Sequence, residues 1–482
     1  MRFQDIPLRK RSETMWEIPQ MSGMRVPGLV FASERMMTEI VKDEAIRQVI
    51  NVAHLPGIQR YSIGMPDIHW GYGFPIGGVA AMDVEEWVVS PGGVGYDINC
   101  GVRLLRSDLT AGSLAGRLPE LVAALHREVP SGVGSTGFVR LAEKDVEKVL
   151  REGSRWAASR GFATEEDVAF TESGGCFPGA DSDAVSDVAK RRGRDQLGTL
   201  GSGNHFIEID EVAEIFDEKA GRAFGLFRGQ AVVLIHSGSR GLGYQVCDDY
   251  LVTMAEYMRR NRIELPDRQL ACAHVRSREG ERYLEALAAA ANYAFANRQL
   301  LAHQAREVFL KVLRMGPSDL GMRLVYDCGH NNAKFERHEV DGRKRELLVH
   351  RKGATRSFPP GARDLPDAYR ETGQPVLIPG DMGTASYVLA GTEGAMELSF
   401  GSTCHGAGRR MSRKQARSSV GGRSVVREME KRGVLVASAS PKTLAEEIPE
   451  AYKDVSEVVD VVHNAGIARK VARLRPLAVV KG

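Results

Sequence analysis

The chain has 482 residues, of which 43% are apolar and 26% charged, a composition typical of a folded globular protein and unlike that of a disordered one. Its 65 basic and 62 acidic residues leave a net charge of +3, which argues against a uniformly basic nucleic-acid-binding protein but allows a local basic patch. The 52 glycines follow no G-X-Y period, which excludes collagen and indicates many tight turns or sites lined by backbone.

Helical periodicity of the apolar residues predicts a series of helices along the chain. They cover residues 35–55, 114–129, 143–157, 279–315 and 441–462. Short apolar runs predict strands at residues 230–235, 322–326, 375–378 and 386–389. Helices and strands are mixed without a regular βα alternation, and no G-x-x-x-x-G-K-[ST] motif occurs. The sequence therefore predicts a mixed α/β (α+β) fold with an irregular central β core surrounded by helices, and neither a Rossmann nor a P-loop fold.

Targeting signals and cysteines bear on the compartment. The first residues lack the apolar segment of a secretory signal, and the most apolar stretch, residues 284–295, is shorter than the ~20 residues that span a bilayer. The six cysteines are scattered without a CxxC pair, which indicates reduced thiols and not a disulfide framework. We therefore expect a cytoplasmic protein.

Four histidines lie in small-residue loops that adjoin apolar segments. His205, His236, His330 and His405 each have Gly, Ser or Asn on at least one flank. A lone histidine of this kind is more often a satisfied core residue, but four in the same setting favour a site with two metals and a spare imidazole. Glu208, three residues after His205, is a candidate to accept a hydrogen bond behind a ligand or to bind a donor such as a base edge.

The glycine-rich loop at residues 90–101 contains Asp97 and Cys100, three residues apart. A carboxylate and a thiolate together suit Mn²⁺ or Zn²⁺ better than Mg²⁺. Upstream, Asp67 and His69 are further candidate ligands or groups that support ligands. The spacing alone is more often that of a tight glycine-rich turn with a buried cysteine.

The segment around His405 combines small residues with positive charge. Small residues on both sides of His405 allow the backbone to approach a phosphate closely, and the residues after Gly408 are expected to open a helix whose N–H groups face an anion. Residues 398–427 contain no acid but seven basic side chains, which indicates either a solvated face or a polyanion contact. Further basic clusters occur at residues 190–194 and 351–356. The Lys-x-Asp-Gly motif, which supplies the lysine nucleophile of many nucleotidyl-transferring enzymes, does not occur. A nucleotide activated by this protein would therefore need another nucleophile, such as neutral imidazole.

Taken together, these segments resemble the RtcB family of RNA ligases. The matching motifs are MPDIHWGYGFPIGG (residues 65–78), PGGVGYDINCGVR (91–103), LGSGNH (200–205), HSGSRG (236–241), GHNN (329–332), IPGDMG (378–383) and HGAGR (405–409), and the final Lys-Gly also fits. The resemblance implies one RtcB-type catalytic domain over residues 1–482, built around a single site.

The resemblance also implies an activity: GTP- and Mn²⁺-dependent joining of RNA 3′-phosphate or 2′,3′-cyclic phosphate ends to 5′-hydroxyl ends, in tRNA splicing or RNA repair. His405 matches the histidine that becomes guanylylated, and the reaction passes through an RNA-3′pp5′G intermediate. The implied ligands of two Mn²⁺ ions are Asp97, Cys100, His205, His236 and His330, with Cys100 bridging.

Further contacts follow from the same match. The implied GTP or GMP contacts are Asn204, His205, Phe206, Ile207, Glu208, His330, Asn331, Pro379, Gly380, Asp381, Met382, Ser386, His405, Gly406, Ala407, Gly408, Tyr452 and Lys481. Candidate RNA or phosphate contacts are Arg240, Lys352, Arg409, Arg410 and Arg413. The implied partners are tRNA halves or other cleaved RNA and an archease-like activator, and the family favours a monomer.

Two other functions explain part of the sequence. A binuclear metal phosphoesterase that acts on RNA or nucleotide phosphate ends without ligation explains the ligands but not the loop around His405. A non-enzymatic RNA-binding protein explains the basic stretch alone.

Overall fold

The structure is a computed structural model that describes residues 1–83, 88–132 and 134–482. Within these ranges the strands are β1 (Arg2–Phe3), β2 (Ile6–Pro7), β3 (Arg9–Ser12), β4 (Met15–Ile18), β5 (Gly28–Phe31), β6 (Ser62–His69), β7 (Ile76–Asp83), β8 (Val88–Val89), β9 (Gly101–Thr110), β10 (Phe206–Ile215), β11 (Gln230–Ser237), β12 (Ala273–His274), β13 (Arg323–Gly329), β14 (Asn331–Val340), β15 (Arg343–Lys352), β16 (Ala354–Arg356), β17 (Pro375–Ile378), β18 (Ser386–Ala390), β19 (Ser402–Cys404), β20 (Leu435–Ser438) and β21 (Arg469–Lys481).

The α-helices are α1 (Glu34–Ile40), α2 (Ala45–Val52), α3 (Ala111–Leu114), α4 (Leu118–Glu128), α5 (Glu143–Glu152), α6 (Ser154–Ser159), α7 (Glu165–Ala169), α8 (Asp187–Arg194), α9 (Glu218–Phe224), α10 (Arg240–Asn261), α11 (Arg278–Leu313), α12 (Pro317–Leu320), α13 (Glu393–Ser399), α14 (Arg413–Val420), α15 (Val425–Lys431), α16 (Pro441–Glu446) and α17 (Val455–Asn464). Short 3₁₀ turns cover Pro91–Gly93, Glu172–Gly175, Ser182–Ala184, Arg268–Leu270, Asp367–Tyr369 and Pro449–Ala451.

One large sheet carries the strands that adjoin the histidine loops. Its order is β13-β9-β11-β10-β21-β18-β17, with antiparallel neighbours along this path and β20 parallel to β21. In its register, Phe206 lies opposite both His236 and Lys481, His236 lies opposite Val102, and Val102 lies opposite Cys328. Because antiparallel neighbours alternate in direction, the starts of β9 and β10 and the ends of β11, β13 and β21 meet at one edge of this sheet.

A second sheet brings further loops to that edge. Its order is β14-β15-β7-β6-β5-β4-β3, and Asn331 at the start of β14 lies opposite Lys352 at the end of β15. The small sheet of β16 and β19 then pairs Ala354 with Cys404. As a result, His405 leaves β19 beside the end of β15.

Helix α11 confirms the long helix predicted at residues 279–315. Its 36 residues give a length of about 54 Å. Several of its polar side chains are buried and hold the loops that follow neighbouring strands. Asn297 Nδ2 donates to Ser237 Oγ and to the Gly238 carbonyl, and Arg298 donates to Asp327 at the end of β13.

The other predicted helices are interrupted in the structure. Residues 35–55 form α1 and α2, and the Asp43 carboxylate accepts from the Ala45 N–H at the start of the second helix. Residues 114–129 contain α4 after the short α3, and residues 143–157 divide into α5 and α6 at Gly153, whose φ is +58°. Residues 441–462 divide into α16 and α17, because Pro449 has no N–H for a helix interior and instead begins a 3₁₀ turn.

The predicted fold class is confirmed, with a mixed α/β structure and largely antiparallel sheets. The four predicted strands correspond to β11, β13, β17 and β18. The second sheet was not predicted, because some of its strands bury charge. Lys334, Glu336 and His338 all face inward from β14, so its pattern does not read as apolar alternation. No helix in the described residues combines the length and apolar character needed to cross a membrane.

Candidate active site

The five predicted metal ligands converge at the edge of the large sheet. The Cys100 Sγ lies 3.4 Å from His205 Nε2 and 3.3 Å from His236 Nε2. His236 Nε2 lies 3.4 Å from His330 Nε2, and His205 Nε2 lies 3.0 Å from Asp97 Oδ2. The sequence places these side chains far apart, and the strand register brings them together.

Backbone carbonyls orient two of the imidazoles. His205 Nδ1 lies 3.0 Å from the Leu200 carbonyl oxygen, and His236 Nδ1 lies 3.1 Å from the Asn204 carbonyl oxygen. A carbonyl only accepts, so Nδ1 of each ring carries a proton and Nε2 is the ring atom available to a metal. Both Nε2 atoms face the Cys100 thiol.

The electrostatics of the cluster match a cation site. Burial opposes ionisation of Asp97, but the hydrogen bond to His205 and nearby positive charge hold its pKa at about 2. Burial, reinforced by neighbouring cationic groups, lowers the pKa of His236 and of His330 well below the ordinary histidine value. Burial and the Asp97 carboxylate raise the pKa of the Cys100 thiol, whereas a coordinated cation would remove its proton.

The donor set fits a transition-metal ion. The candidate ligand atoms of Cys100, His205 and His236 all lie within 4.8 Å of one another, and all three side chains are buried. With the adjoining Asp97 oxygen and His330 nitrogen they form a mixed set of hard and soft donors, which suits Mn²⁺ or Zn²⁺ better than Mg²⁺.

His405 lies beside this cluster and is held by Asp67. The His405 ring centroid is 5.0 Å from that of His330. His405 Nδ1 lies 2.5 Å from Asp67 Oδ2, and the same oxygen accepts from the backbone N–H groups of His405 (2.9 Å) and Gly406 (3.3 Å). The Asp67 carboxylate accepts the hydrogen bond from His405 Nδ1–H, which leaves Nε2 as the ring atom that faces the cavity chemistry. The sequence had suggested Asp67 as a ligand or supporting group, and the structure makes it a partner of His405.

The segment around Asp67 is tightly fixed. Burial works against the Asp67 charge, but His405 lowers the pKa of this carboxyl below its usual value. Lys453 Nζ donates to the carbonyls of Pro66 and Ile68 on either side. Gly408 has a φ of +73°, and a Cβ there would lie 2.2 Å from the Asp67 carbonyl oxygen, so only glycine fits this approach.

A cavity of about 380 Å³ opens over His405 and the five predicted metal ligands. We call Asp97, Cys100, His205, His236 and His330 the metal-ligand cluster. The cavity is lined by these predicted site residues: Asp97, Cys100, Asn204, Phe206, His236, His330, Asn331, Lys352, Pro379, Gly380, Asp381, Met382, His405, Gly406, Ala407, Gly408, Arg409, Arg413, Tyr452 and Lys481. The proposed metal, nucleophile and guanylate positions therefore line one cavity. They meet there because the end of β21 and the loop between β17 and β18 reach the same edge of the large sheet as the metal-ligand cluster.

Other predicted guanylate contacts lie behind the cavity wall. Glu208 is buried on β10, where burial and Asp210 raise its pKa well above the usual value and Lys481 opposes that shift. Ser386 Oγ accepts from the Gly380 N–H at 3.2 Å and so supports the lining loop. The Ile207 side chain packs into the core on the other face of the sheet, which leaves only its backbone near the site.

Acidic side chains from outside residues 398–427 partly neutralise the positive charge of this stretch in the structure. Arg409 pairs with Glu447, Arg413 approaches Glu446 and Glu447, and Arg417 pairs with Glu446. These acids come from the end of α16 and the residue after it, outside the stretch. Its helix α14 begins only at Arg413, not directly after Gly408, so the expected helix N-terminus does not adjoin His405.

The remaining basic candidates divide between core and surface. In the cluster at residues 351–356, Arg351 is buried against Glu336 and Arg356 is buried near Glu172, so both are structural. Lys352 lines the cavity, donates to the Tyr72 and Phe74 carbonyls, and has a pKa lowered to about 7 by burial. Arg240 donates through Nε to Thr199 Oγ1. Arg410 lies in an adjoining surface cleft with Glu39 and Lys453.

Some cavity residues were not predicted from the sequence. Tyr72 and Tyr96 line the cavity, as does Glu447, whose carboxylate accepts from the Tyr452 hydroxyl. The position of Tyr96 directly before Asp97 could have identified it from the sequence. Nothing in the local sequence distinguishes Glu447 from its acidic neighbours. His69, by contrast, was a candidate ligand or supporting group from the sequence, and it lines the cavity, where burial lowers its pKa to about 3 and its Nδ1 lies 2.9 Å from the Asp67 carbonyl oxygen.

Comparison with known proteins gives consistent matches over nearly the whole chain. Residues 48–482 match the family described as "tRNA-splicing ligase RtcB". A protein of that name from Archaeoglobus fulgidus is 53% identical over 477 residues, which cover 98% of this chain and 99% of the relative. The namesake from Thermococcus kodakarensis is 53% identical over 478 residues and 99% of each chain. That from Aeropyrum pernix is 51% identical over 481 residues, 99% of this chain and all of the relative.

Proposed function

The chain belongs to the RtcB family of tRNA-splicing ligases, and from this premise we propose that it joins RNA 3′-phosphate or 2′,3′-cyclic phosphate ends to 5′-hydroxyl ends with GTP and Mn²⁺. We further propose that residues 1–482 act as one catalytic domain around the cavity over His405. The substrates would be tRNA halves or other cleaved RNA. An archease-like activator, a monomeric state and a cytoplasmic location stay predictions.

The observation that carries this proposal is the Asp67–His405 contact inside the cavity that also holds the metal-ligand cluster. Asp67 fixes the tautomer of His405 and leaves Nε2 free to attack, which is what a nucleophilic imidazole requires. A phosphoesterase would need the same metal ligands but would use an imidazole whose ring centroid lies 5.0 Å from that of His330 only for proton transfer, so a covalent nucleotide adduct distinguishes the two functions.

In the first step, His405 Nε2 attacks the α-phosphorus of GTP. A P–N bond forms, the bond to the pyrophosphate oxygen breaks, and pyrophosphate leaves. The Nδ1 proton stays in its hydrogen bond to Asp67 Oδ2, which offsets the positive charge that develops on the ring.

In the later steps, a 3′-phosphate oxygen of the RNA attacks the same phosphorus and breaks the P–N bond. This gives RNA-3′pp5′G and restores the lone pair of His405. The 5′-hydroxyl then attacks the RNA phosphate and loses its proton, a phosphodiester forms, and GMP leaves. A cyclic end must first add water and open to the 3′-phosphate.

Asp97, Cys100, His205, His236 and His330 would hold two Mn²⁺ ions. Bound there, the ions would supply positive charge to the phosphate oxygens and activate water. The mixed donor set supports manganese over magnesium, which prefers all-oxygen ligands.

The cavity wall next to His405 supports a guanylate site. Lys481 Nζ lies 5.3 Å from the Phe206 ring centroid, and the Tyr452 ring packs against the Arg409 guanidinium at 5.2 Å. A flat base can stack on these rings, and the Asp381 carboxylate in the cavity lining offers an acceptor for its N–H groups.

The test is a covalent adduct assay. The protein is incubated with α-labelled GTP and Mn²⁺ and then denatured in acid or in base. We expect a base-stable, acid-labile adduct, as befits a phosphoramidate, that is absent from His405→Ala and present in the surface control His463→Ala. A protein that hydrolyses RNA phosphate ends but forms no adduct would instead be a phosphoesterase.

A further inference from the structure

Three tyrosines form a continuous aromatic stack from the cavity to the surface. Tyr72 and Tyr96 line the cavity, with ring centroids 5.6 Å apart at 69°. Tyr96 stacks on Tyr244 with centroids 4.6 Å apart at 24°. Tyr244 is 48% exposed, and within the described residues no other ring contacts it. We name these three residues the tyrosine stack. None of them belongs to the proposed metal, nucleophile or guanylate positions.

The tyrosine stack is anchored to the metal-ligand cluster. Tyr96 directly precedes Asp97, and Tyr244 lies in the second turn of α10, whose first residue follows Ser239. The Ser239 N–H and hydroxyl donate to Asp97 Oδ1 at 2.8 and 3.1 Å. One carboxylate therefore positions both the start of α10 and the loop of Tyr96, so the stack is preformed relative to the cluster.

Positive charge borders the tyrosine stack on the side of α8. The Arg192 side chain lies against Gly241, with its Cβ 3.5 Å from where a Gly241 Cβ would be. Arg192 is exposed and, among the residues that the structure describes, no carboxylate lies within ion-pair distance of it. Arg240 begins α10, but its guanidinium points to Thr199 and Gly201. Asp248 lies one turn beyond Tyr244 and disfavours a phosphate on that side of the stack.

We propose that the tyrosine stack binds an unpaired nucleobase of the RNA end entering the cavity, with Arg192 facing the adjoining phosphate. This rests on the proposed ligase function and adds the surface that receives the RNA. Every base has an aromatic face, so stacking on tyrosine holds RNA without regard to sequence. A rigid stack that ends at Tyr96 would deliver the terminal phosphate beside Asp97.

Three protein variants and two series of abasic oligonucleotides test this proposal. Tyr244→Ala removes the outer ring, Tyr244→Phe keeps the ring without its hydroxyl, and Phe216→Ala is a matched control. Phe216 is 42% exposed and stacks on Tyr387 with Lys470 nearby, but it does not line the cavity. Affinity is measured by fluorescence anisotropy for a 3′-phosphate oligonucleotide and for a 5′-hydroxyl oligonucleotide, each with an abasic residue moved stepwise from the end.

We expect Tyr244→Ala to weaken binding of the 3′-phosphate oligonucleotide about 10-fold, within the range for loss of one stacked base, while Tyr244→Phe and Phe216→Ala stay within twofold. In the wild type, an abasic residue at one position of this oligonucleotide should cause the same loss, and Tyr244→Ala should no longer respond to it. Wild-type affinity of Tyr244→Ala for the 3′-phosphate oligonucleotide would overturn the proposal, as would an equal response to the abasic residue in both proteins.

The guanylylation assay separates this proposal from the function on which it rests. Tyr244→Ala should form the His405 adduct at the wild-type rate. If wild type forms no adduct, the ligase function fails, whatever the binding data show. If Tyr244→Ala alone loses the adduct, Tyr244 supports the fold of the site and the stacking proposal is wrong.

Discussion

Replacing Asp67 with asparagine should slow guanylylation without removing the metal ligands. Asp67 Oδ2 accepts three hydrogen bonds, from His405 Nδ1, His405 N and Gly406 N. Asparagine can keep an oxygen at that position, so the shape of the contact survives while its negative charge is lost. The substitution therefore isolates the charge that faces His405 as it becomes cationic during the attack on GTP.

The size of the effect follows from the contact at Nδ1. A hydrogen bond to a charged acceptor contributes ~1.5–3 kcal/mol, against ~0.5–1.5 kcal/mol for a neutral one. A loss of about 2 kcal/mol in the transition state slows the step about 30-fold. The NH₂ group of the new asparagine would take the place of Asp67 Oδ1, a buried atom for which the described residues provide no hydrogen-bond partner. Because this NH₂ group would be buried without an acceptor, we also expect some loss of stability.

The assay is single-turnover formation of the labelled adduct at saturating GTP and Mn²⁺. Asp195→Asn, an exposed substitution outside the cavity, is the control, and thermal unfolding of each variant shows whether the fold is intact. A rate for Asp67→Asn within twofold of wild type, in a folded protein, would refute the role assigned to the Asp67 charge.

Three further predictions follow from other contacts of the site and its surroundings. Arg351→Met should lower the free energy of unfolding in urea by about 3 kcal/mol, because it leaves the buried Glu336 carboxylate with His338 as its remaining partner; wild-type stability would contradict the buried pair. Because burial lowers the pKa of Lys352 to about 7, this side chain loses its charge between pH 6 and 8. Binding of an RNA without terminal phosphates should therefore weaken as pH rises through this range, and the pH dependence should be smaller in Lys352→Met; equal slopes would exclude Lys352 as a contact. Tyr452→Ala should weaken GTP binding in calorimetry about 10-fold through loss of a stacked base, whereas Tyr452→Phe, which keeps the ring, should stay within threefold.

The sequence predicted the chemistry of the site better than its geometry. The glycine-rich flanks of His205, His236 and His330 identified them as candidates, because strand ends are where a scaffold presents functional groups. Their convergence on Cys100 depends on the register of β9, β10, β11 and β13, and no local pattern encodes that register. The role of Asp67 was open for the same reason, since only the pairing of β16 with β19 brings His405 to it.

Charge was the weakest guide to this fold. The acid-free stretch that contains Arg409 and Arg413 suggested a strongly positive face. In the structure, Glu446 and Glu447 at the end of α16 form ion pairs with these arginines and reduce that charge. Strand β14 was missed because its inward side chains are charged and satisfied by partners distant in sequence. Sequence patterns reveal amphipathic helices such as α11, whereas compensation between distant charges becomes visible only in three dimensions.

The meeting of four strand ends at one cluster also has a kinetic consequence. An ion that needs donors from β9, β10, β11 and β13 has no complete site until all four strands have paired, so metal capture should be among the last events of refolding. Once bound, the ion stabilises the native state by RT ln(1 + [M]/Kd), where [M] is the free metal concentration and Kd its dissociation constant. Bound metal therefore opposes separation of the paired strands. The time course of metal uptake would then report the moment at which the central sheet is complete.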